Sequence, residues 1–288
     1  MLQTSDGGNG ASFALPVPQT AAGRSGMAAL IATPARSLIG LDFDGTLAPI
    51  VDDPAAARAD PAAVAALALL APVAGTVAII TGRPAAEAAE FAGLAAVPGV
   101  IVLGHYGSER WEHGRLSSPP APPGLAAAKA ELPRVLADTG ADPGTFIEHK
   151  GYSVAVHTRR AASPDAELAR LTGPLAALAE RSGLTVEPGR LVVELRPPGS
   201  DKGQALRLLA AERAASAVMF CGDDLGDVPA FRTVRELRDA GTPGLAVCSG
   251  SAEVPELQAE ADLVVDGPVG VARLLAGLAA AMASGDPS

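Results

Sequence analysis

The sequence predicts a doubly wound parallel α/β sheet interrupted by a smaller α+β insert. Three observations carry this expectation. Short apolar runs recur along the chain, Ala-rich stretches of helical spacing separate them, and one proline-bounded region changes to adjacent strands with two helices. The runs at 37–43 (SLIGLDF), 77–80, 100–103, 217–220, 244–247 and 261–265 are mostly uninterrupted and apolar, as strands buried on both faces must be. Between them, 61–70, 85–94, 202–214 and 228–238 carry helical spacing, giving repeated strand-helix-strand units.

The middle follows a different plan. After the loop SSPPAPPG come a helical stretch at 125–139, expected to break or kink near Pro133, and strands at 145–150 and 153–158. A second helix at 164–182 and strands at 184–187 and 190–195 follow. The expected domains are therefore a flexible tail at 1–36, a core at 37–118 and 197–288, and an α+β insert at 119–196, with RPPGS at 196–200 as the return hinge. No internal repeat is visible.

Composition narrows the classes of function. Of the 288 residues 48% are hydrophobic, ample for a core, while only 3% are aromatic and 32 are Gly, so packing rests on Ala, Val and Leu. The two cysteines, Cys221 and Cys248, stand in apolar contexts and read as buried small hydrophobes in a reducing, cytoplasmic compartment. A net charge of -10 argues against nucleic acid as a partner, so an anionic substrate needs locally placed cations. Residues 1–26 have no basic leader ahead of an apolar stretch, and the uncharged run 61–82 is interrupted by Pro72 and Gly75, so neither a secretory signal nor a membrane span is expected.

Chemistry gathers at strand ends. In Leu41-Asp42-Phe43-Asp44-Gly45-Thr46, two carboxylates follow a buried strand, and residues i and i+2 of an extended chain project to one side. Asp42 and Asp44 are thus expected to converge, with repulsion relieved by a hard divalent cation such as Mg2+. Thr81-Gly82-Arg83 ends the next strand with a hydroxyl, suited either to a phosphoryl oxygen or to an ordinary helix N-cap. Asp201-Lys202-Gly203 opens a helix, and Gly222-Asp223-Asp224-Leu225-Gly226-Asp227 brings more carboxylates to the same sheet edge. The chain has three lysines, Lys129, Lys150 and Lys202, so Lys202 and Lys150 stand out as compact point charges where a planar guanidinium does not fit.

These four motifs resemble those of the phosphohydrolases of the haloacid dehalogenase superfamily, and the stretch 38–265 is similar to the trehalose-6-phosphate phosphatase family. The resemblance implies that Asp42 is the nucleophile forming an aspartyl-phosphate, and that Asp44 is the general acid and then base. It implies that Thr81 and Lys202 hold the phosphoryl group, and that Asp42, the Asp44 backbone carbonyl, Asp223 and, through water or by orientation, Asp227 form the Mg2+ site. In the insert, then a cap, Glu148 and Lys150 share one strand face, as do His157 and Arg159, and Glu194 lies on the final strand, a mixture of charges suited to a polyhydroxylated ligand. By resemblance Glu148, Lys150, Arg159 and Glu194 contact the disaccharide, Arg190 stands where the family often has a basic residue, Arg83 joins the substrate site, and His105 or Tyr106 of Gly104-His105-Tyr106-Gly107 touches the sugar. Gly226 and Val228 depart from the family's GDDxTDE, which bears on the outer metal shell. Trp111 reads as a packing residue.

The expected function is hydrolysis of a small-molecule sugar phosphate, trehalose 6-phosphate, with a functional link to a trehalose-6-phosphate synthase. A phosphatase for another sugar phosphate, or a catalytically silent sugar-phosphate binding module, is the alternative.

Overall fold

The computed structural model describes residues 15–51, 53–199, 201–250 and 255–285. The chain opens with α1 (Ala21–Ala32) and enters the large sheet at β1 (Ser37–Leu41), followed by α2 (Pro61–Leu70), β2 (Thr76–Ile80), α3 (Ala85–Phe91) and β3 (Val100–Gly104). A hairpin, β4 (Glu109–Glu112) and β5 (Arg115–Ser117), leads into the insert: α4 (Pro123–Asp138), β6 (Phe146–His149), β7 (Val154–His157), α5 (Pro164–Arg181), β8 (Thr185–Gly189) and β9 (Val192–Arg196). The chain then returns through α6 (Lys202–Glu212), β10 (Ala217–Gly222), α7 (Val228–Asp239), β11 (Gly244–Ser249), α8 (Pro255–Glu260), β12 (Leu263–Val265) and α9 (Gly267–Ser284).

The eight strands of the large sheet run β12-β11-β10-β1-β2-β3-β4-β5; all pairs from β12 to β3 are parallel, and the β3–β4 and β4–β5 pairs at the edge are antiparallel. Chain order reverses between β1 and β10, the place where open α/β sheets hold ligands. Both strands are buried along their whole length. Apolar side chains on one sheet face pack with α1, α2, α3 and α9, and those on the other with α6 and α7. This is the doubly wound core predicted from the alternating runs. The second sheet, β6-β7-β9-β8, is antiparallel, and Val154, Val156, Val193 and Leu195 cover one face of it with α4 and α5. The molecule is thus a parallel α/β core carrying an inserted α+β cap.

Two expectations need correction, and one element was not foreseen. Residues 21–36 are not a tail: α1 buries Met27, Leu30 and Ile31, and a Cβ on its Gly26 would lie 2.0 Å from the Gly244 carbonyl oxygen, so the helix seats directly on β11. Residues 1–14 of that expected tail, and Ser200 of the expected hinge, lie outside the described residues. Of the break or kink expected near Pro133, the break does not occur: the helix continues through this residue to Asp138. The edge hairpin β4–β5 was not foreseen, and Trp111 packs from it against the core as expected. Among the described residues one helix, Gly267–Ser284, is long and apolar enough to cross a membrane; half of it is buried inside the protein, much of that against α2. The run 61–82 resolves into the short α2, a turn and β2.

Candidate active site

The parallel strands β1, β2 and β10 each present the polar residue that follows them, Asp42, Thr81 and Asp223, at one rim of the sheet. Asp42 leaves β1 with its N–H donating to the Cys221 carbonyl of β10 at 2.9 Å, so the loops that follow these adjacent strands start side by side. Its carboxylate is buried and pairs with the Lys202 ammonium at 2.8 Å. Lys202 is the first residue of α6, whose N-cap Asp201 accepts from the Gln204 N–H. The same ammonium donates to Asp227 at 2.7 Å, while the other Asp227 oxygen accepts from the Asp223 and Asp224 N–H groups at 2.9 and 3.2 Å. Asp227 is fully buried and uses both oxygens inside the protein, so it fixes the lysine and the 223–227 loop together.

Asp42, Asp223 and Asp227 each bring a carboxylate oxygen within 4.8 Å of the others. Asp223 keeps a buried Oδ1 with no hydrogen-bond partner. A buried, unpartnered carboxylate oxygen beside two other carboxylates is costly unless a cation completes it, and an all-oxygen donor set suits a hard divalent ion. The local electrostatics point the same way. Burial, joined by Asp227 and Asp224 against the opposing Lys202, pushes the Asp223 carboxyl up to about 8. Burial likewise raises Asp42 well above the ordinary carboxylate range, Lys202 pulling it down and Asp227 and Asp223 adding to the rise. Burial alone would lower Lys202, but the charges of Asp227 and Asp42 outweigh it and hold the ammonium far above its usual value.

Asp44 behaves differently from its expected convergence with Asp42. Both its oxygens are taken by the Arg83 guanidinium, at 2.7 and 2.8 Å, and Asp223 and Asp227, not Asp44, join Asp42 in the acidic cluster. Arg83, expected at the substrate, also donates to Glu87 at 3.0 Å. Thr81 is buried next to this pair, its hydroxyl accepting from the Arg83 N–H at 3.2 Å. It caps no helix: α3 starts at Ala85, with Pro84 at the N-cap position. Gly45 turns the chain with φ 74°, and a Cβ there would lie 2.0 Å from the Asp223 carboxylate. Sequence reasoning missed Ser249, which ends β11 and donates to the Gly45 carbonyl at 2.7 Å. The signal was available: like Thr81, it is a polar residue closing a buried strand.

On the cap, the face opposite the helices carries the charged residues. Register places Glu148, Ala155, Glu194 and Glu187 in one cross-strand row. Lys150 pairs with Glu194 at 2.8 Å and approaches Glu148 at 4.0 Å, and His157 lies 2.8 Å from Glu148 while stacking on Phe146. Glu194 is buried and keeps one unpartnered oxygen. Burial, opposed and exceeded by Glu194 and Glu148, leaves Lys150 raised above its usual value. Arg159 and Arg190 are exposed and follow His157 and Gly189, at the end of the sheet away from the Lys150–Glu194 pair. Glu187, paired with Arg196, was not singled out from the sequence, because only the β8–β9 register puts it opposite Glu194.

His105 is buried below the Lys150-Gly151 turn: a Cβ on Gly151 would stand 3.0 Å from its Nε2, and neither ring nitrogen has a hydrogen-bond partner. Burial lowers its titration, with Glu109 and Glu194 opposing. Burial raises that of Tyr106, to which Glu194 adds while Lys202, Arg196 and Lys150 oppose, so charges from both sheets face this phenol.

A doubly wound core with this acidic rim and an inserted cap defines the class by its fold, that of the haloacid dehalogenase-like proteins. Its fold matches a haloacid dehalogenase-like hydrolase from Bacteroides thetaiotaomicron with a TM-score of 0.54, at 17% identity over 83% of this chain and 98% of that one. The C-terminal domain of Candida albicans trehalose-6-phosphate phosphatase superposes with a TM-score of 0.73, at 22% identity over 92% of this chain and 99% of that one. A trehalose-6-phosphate phosphatase related protein of known structure is 25% identical, with a TM-score of 0.63 over 83% of this chain and 95% of its own.

The sequence family described as Trehalose-phosphatase matches residues 40–268, and the chain belongs to that family. The trehalose-phosphate phosphatase of Mycobacterium marinum is 36% identical over 260 residues, 86% of this chain, and that of Mycobacterium avium 37% over 213 residues, 70% of this chain. The match spans 63% of the length of the former and 52% of the latter.

Proposed function

We propose that this chain hydrolyses trehalose 6-phosphate to trehalose and phosphate through an aspartyl-phosphate on Asp42, with Mg2+ as its cation. The observation that carries the reading is a buried carboxylate, Asp42, in contact with a buried ammonium, Lys202, beside the unpartnered oxygen of Asp223. A carboxylate attacking a phosphate dianion needs neighbouring positive charge; Lys202 supplies it within the protein, and a bound divalent cation would supply the remainder. Asp42 and Asp223, with the Asp44 backbone carbonyl, would hold that cation, and Asp227 would keep Lys202 and the 223–227 loop in place behind it.

The attacking Asp42 oxygen bonds phosphorus as the bond to the sugar oxygen breaks, and that oxygen takes a proton from Asp44. An acid with this task cannot stay bound through both oxygens to Arg83, so the pair opens as the phosphoryl group arrives and Arg83 and Thr81 turn to its oxygens. Asp44, now ionised, next takes a proton from water, which attacks phosphorus and frees Asp42. The cap face with Glu148, Lys150 and Glu194 binds the disaccharide hydroxyls, joined by His105, Arg159 and Arg190 at its margins, and excludes water when seated over the rim. A trehalose-6-phosphate synthase would supply the substrate, and the buried, unbridged Cys221 and Cys248 suit a cytoplasmic setting.

A phosphate-release assay with trehalose 6-phosphate, sucrose 6-phosphate, glucose 6-phosphate and mannosylphosphoglycerate tests the reading. Trehalose 6-phosphate is expected to turn over best, and chelation or Asp42→Asn to stop release. A different best substrate removes the substrate assignment, and release by Asp42→Asn removes the mechanism.

A further inference from the structure

Tyr106 and Arg196 form a joint between core and cap. Tyr106 is held in the left-handed region, φ 57° and ψ 35°, which a tyrosine keeps only when its surroundings fix it. Its N–H donates to the Thr81 carbonyl at 2.9 Å, and its phenol lies against Gly82, where a Cβ would stand 2.7 Å from the hydroxyl oxygen. The Arg196 guanidinium lies over its ring, 4.3 Å from the centroid, and pairs with Glu187. Arg196 is only 11% exposed at its side chain, so water screens this stack little. It closes β9, directly ahead of Pro197 and Pro198, and shares a strand face with Glu194, while Glu187 stands opposite Glu194 in register. The strand that carries Glu194 is therefore fastened to the turn that carries Thr81.

We propose that Tyr106 and Arg196, backed by Glu187, are positioning residues that set how the cap face lies over the Asp42 rim, an inference that rests on the sugar-phosphatase reading above. Without the stack, β9 loses its fixed seat on the 81–83 turn, and a substrate gripped by Glu194 and Lys150 no longer presents its phosphorus in line with Asp42. A small ester that does not reach the cap is indifferent to the loss.

The test compares Arg196→Met, which keeps the bulk of the stem and removes the guanidinium, with Tyr106→Leu, Tyr106→Phe and the Tyr106→Leu/Arg196→Met double variant. With Arg196→Met, kcat/KM for the preferred sugar phosphate is expected to fall about tenfold, while that for p-nitrophenyl phosphate stays within about twofold. The double variant should lose no more than the worse single variant. Amide hydrogen exchange at 104–107 and 192–196 should quicken in Arg196→Met and Tyr106→Leu but not in Tyr106→Phe, which keeps the ring. Equal losses on both esters, additive losses in the double variant, or unchanged exchange would each overturn the proposal. If the wild-type protein prefers an ester other than trehalose 6-phosphate, the substrate assignment falls; the exchange measurement, and the ratio taken with that other ester, still decide the joint.

Discussion

Gly45 meets two demands that no other residue type meets together: a left-handed turn, and the absence of a side chain where Asp223 sits. Gly45→Ala should leave the fold intact by circular dichroism and lower kcat by on the order of a hundredfold, because it displaces Asp223 or the Asp42 loop by a substantial part of an ångström. The Asp223 carboxyl also sets a pH dependence. Its value of about 8 in the metal-free protein, far above an unfolded carboxyl, means that the folded chain holds a proton the unfolded chain would release. Metal-free stability should therefore fall as pH rises from the ordinary carboxylate range through about 8. A divalent cation binds the ionised form, so the Tm gain on adding Mg2+ should grow over the same interval. Thermal unfolding at pH 5 to 8 with and without Mg2+ checks both signs; a gain that shrinks as pH rises contradicts the account.

Among the elements, α1 shows what pattern reading misses. Its sequence AAGRSGMAALIA is small-residue-rich and weakly patterned, so nothing in it announces a packed helix. What recruits it is a buried acid elsewhere: Asp262 accepts from the Thr20 hydroxyl, Arg238 and the Ala246 N–H, and its carbonyl accepts from Gln19. Leu30→Ala is expected to destabilise the protein by about 2–5 kcal/mol, since the side chain is fully buried and the helix face is clamped too firmly to collapse around the void. Urea unfolding measures this, and a cost below about 1 kcal/mol would mean that the helix detaches freely. The parallel strands were legible, because burial on both faces demands continuous apolar runs. The β4–β5 hairpin was not: its residues are mostly polar, and β5 is exposed.

At the scale of the whole molecule, two sheets divide the work, the large one presenting the Asp42 rim and the small one a charged face. Glu194→Gln and Glu148→Gln should cut turnover of the disaccharide phosphate by about 10- to 100-fold while sparing a small generic ester, because a charged acceptor binds hydroxyls more strongly than a neutral one. Steady-state kinetics on both esters decide this, and equal losses argue against a cap that reads sugar.

The rim was legible residue by residue, since a carboxylate, a hydroxyl or a lysine beside a buried strand or at a helix start is conspicuous against apolar neighbours, and strand order then brings Asp42, Thr81, Lys202 and Asp223 to one edge. Their pairing was not legible. That Asp44 is bound to Arg83, that Asp227 holds Lys202, and that Arg196 lies on Tyr106 depend on which loops face one another across gaps of a few ångström. Local sequence determined the strands, the helices and the kind of chemistry at the rim, because burial and periodicity act along the chain. Partner choice is a long-range matter of desolvated charges finding counter-charges, and only the packed molecule decides it.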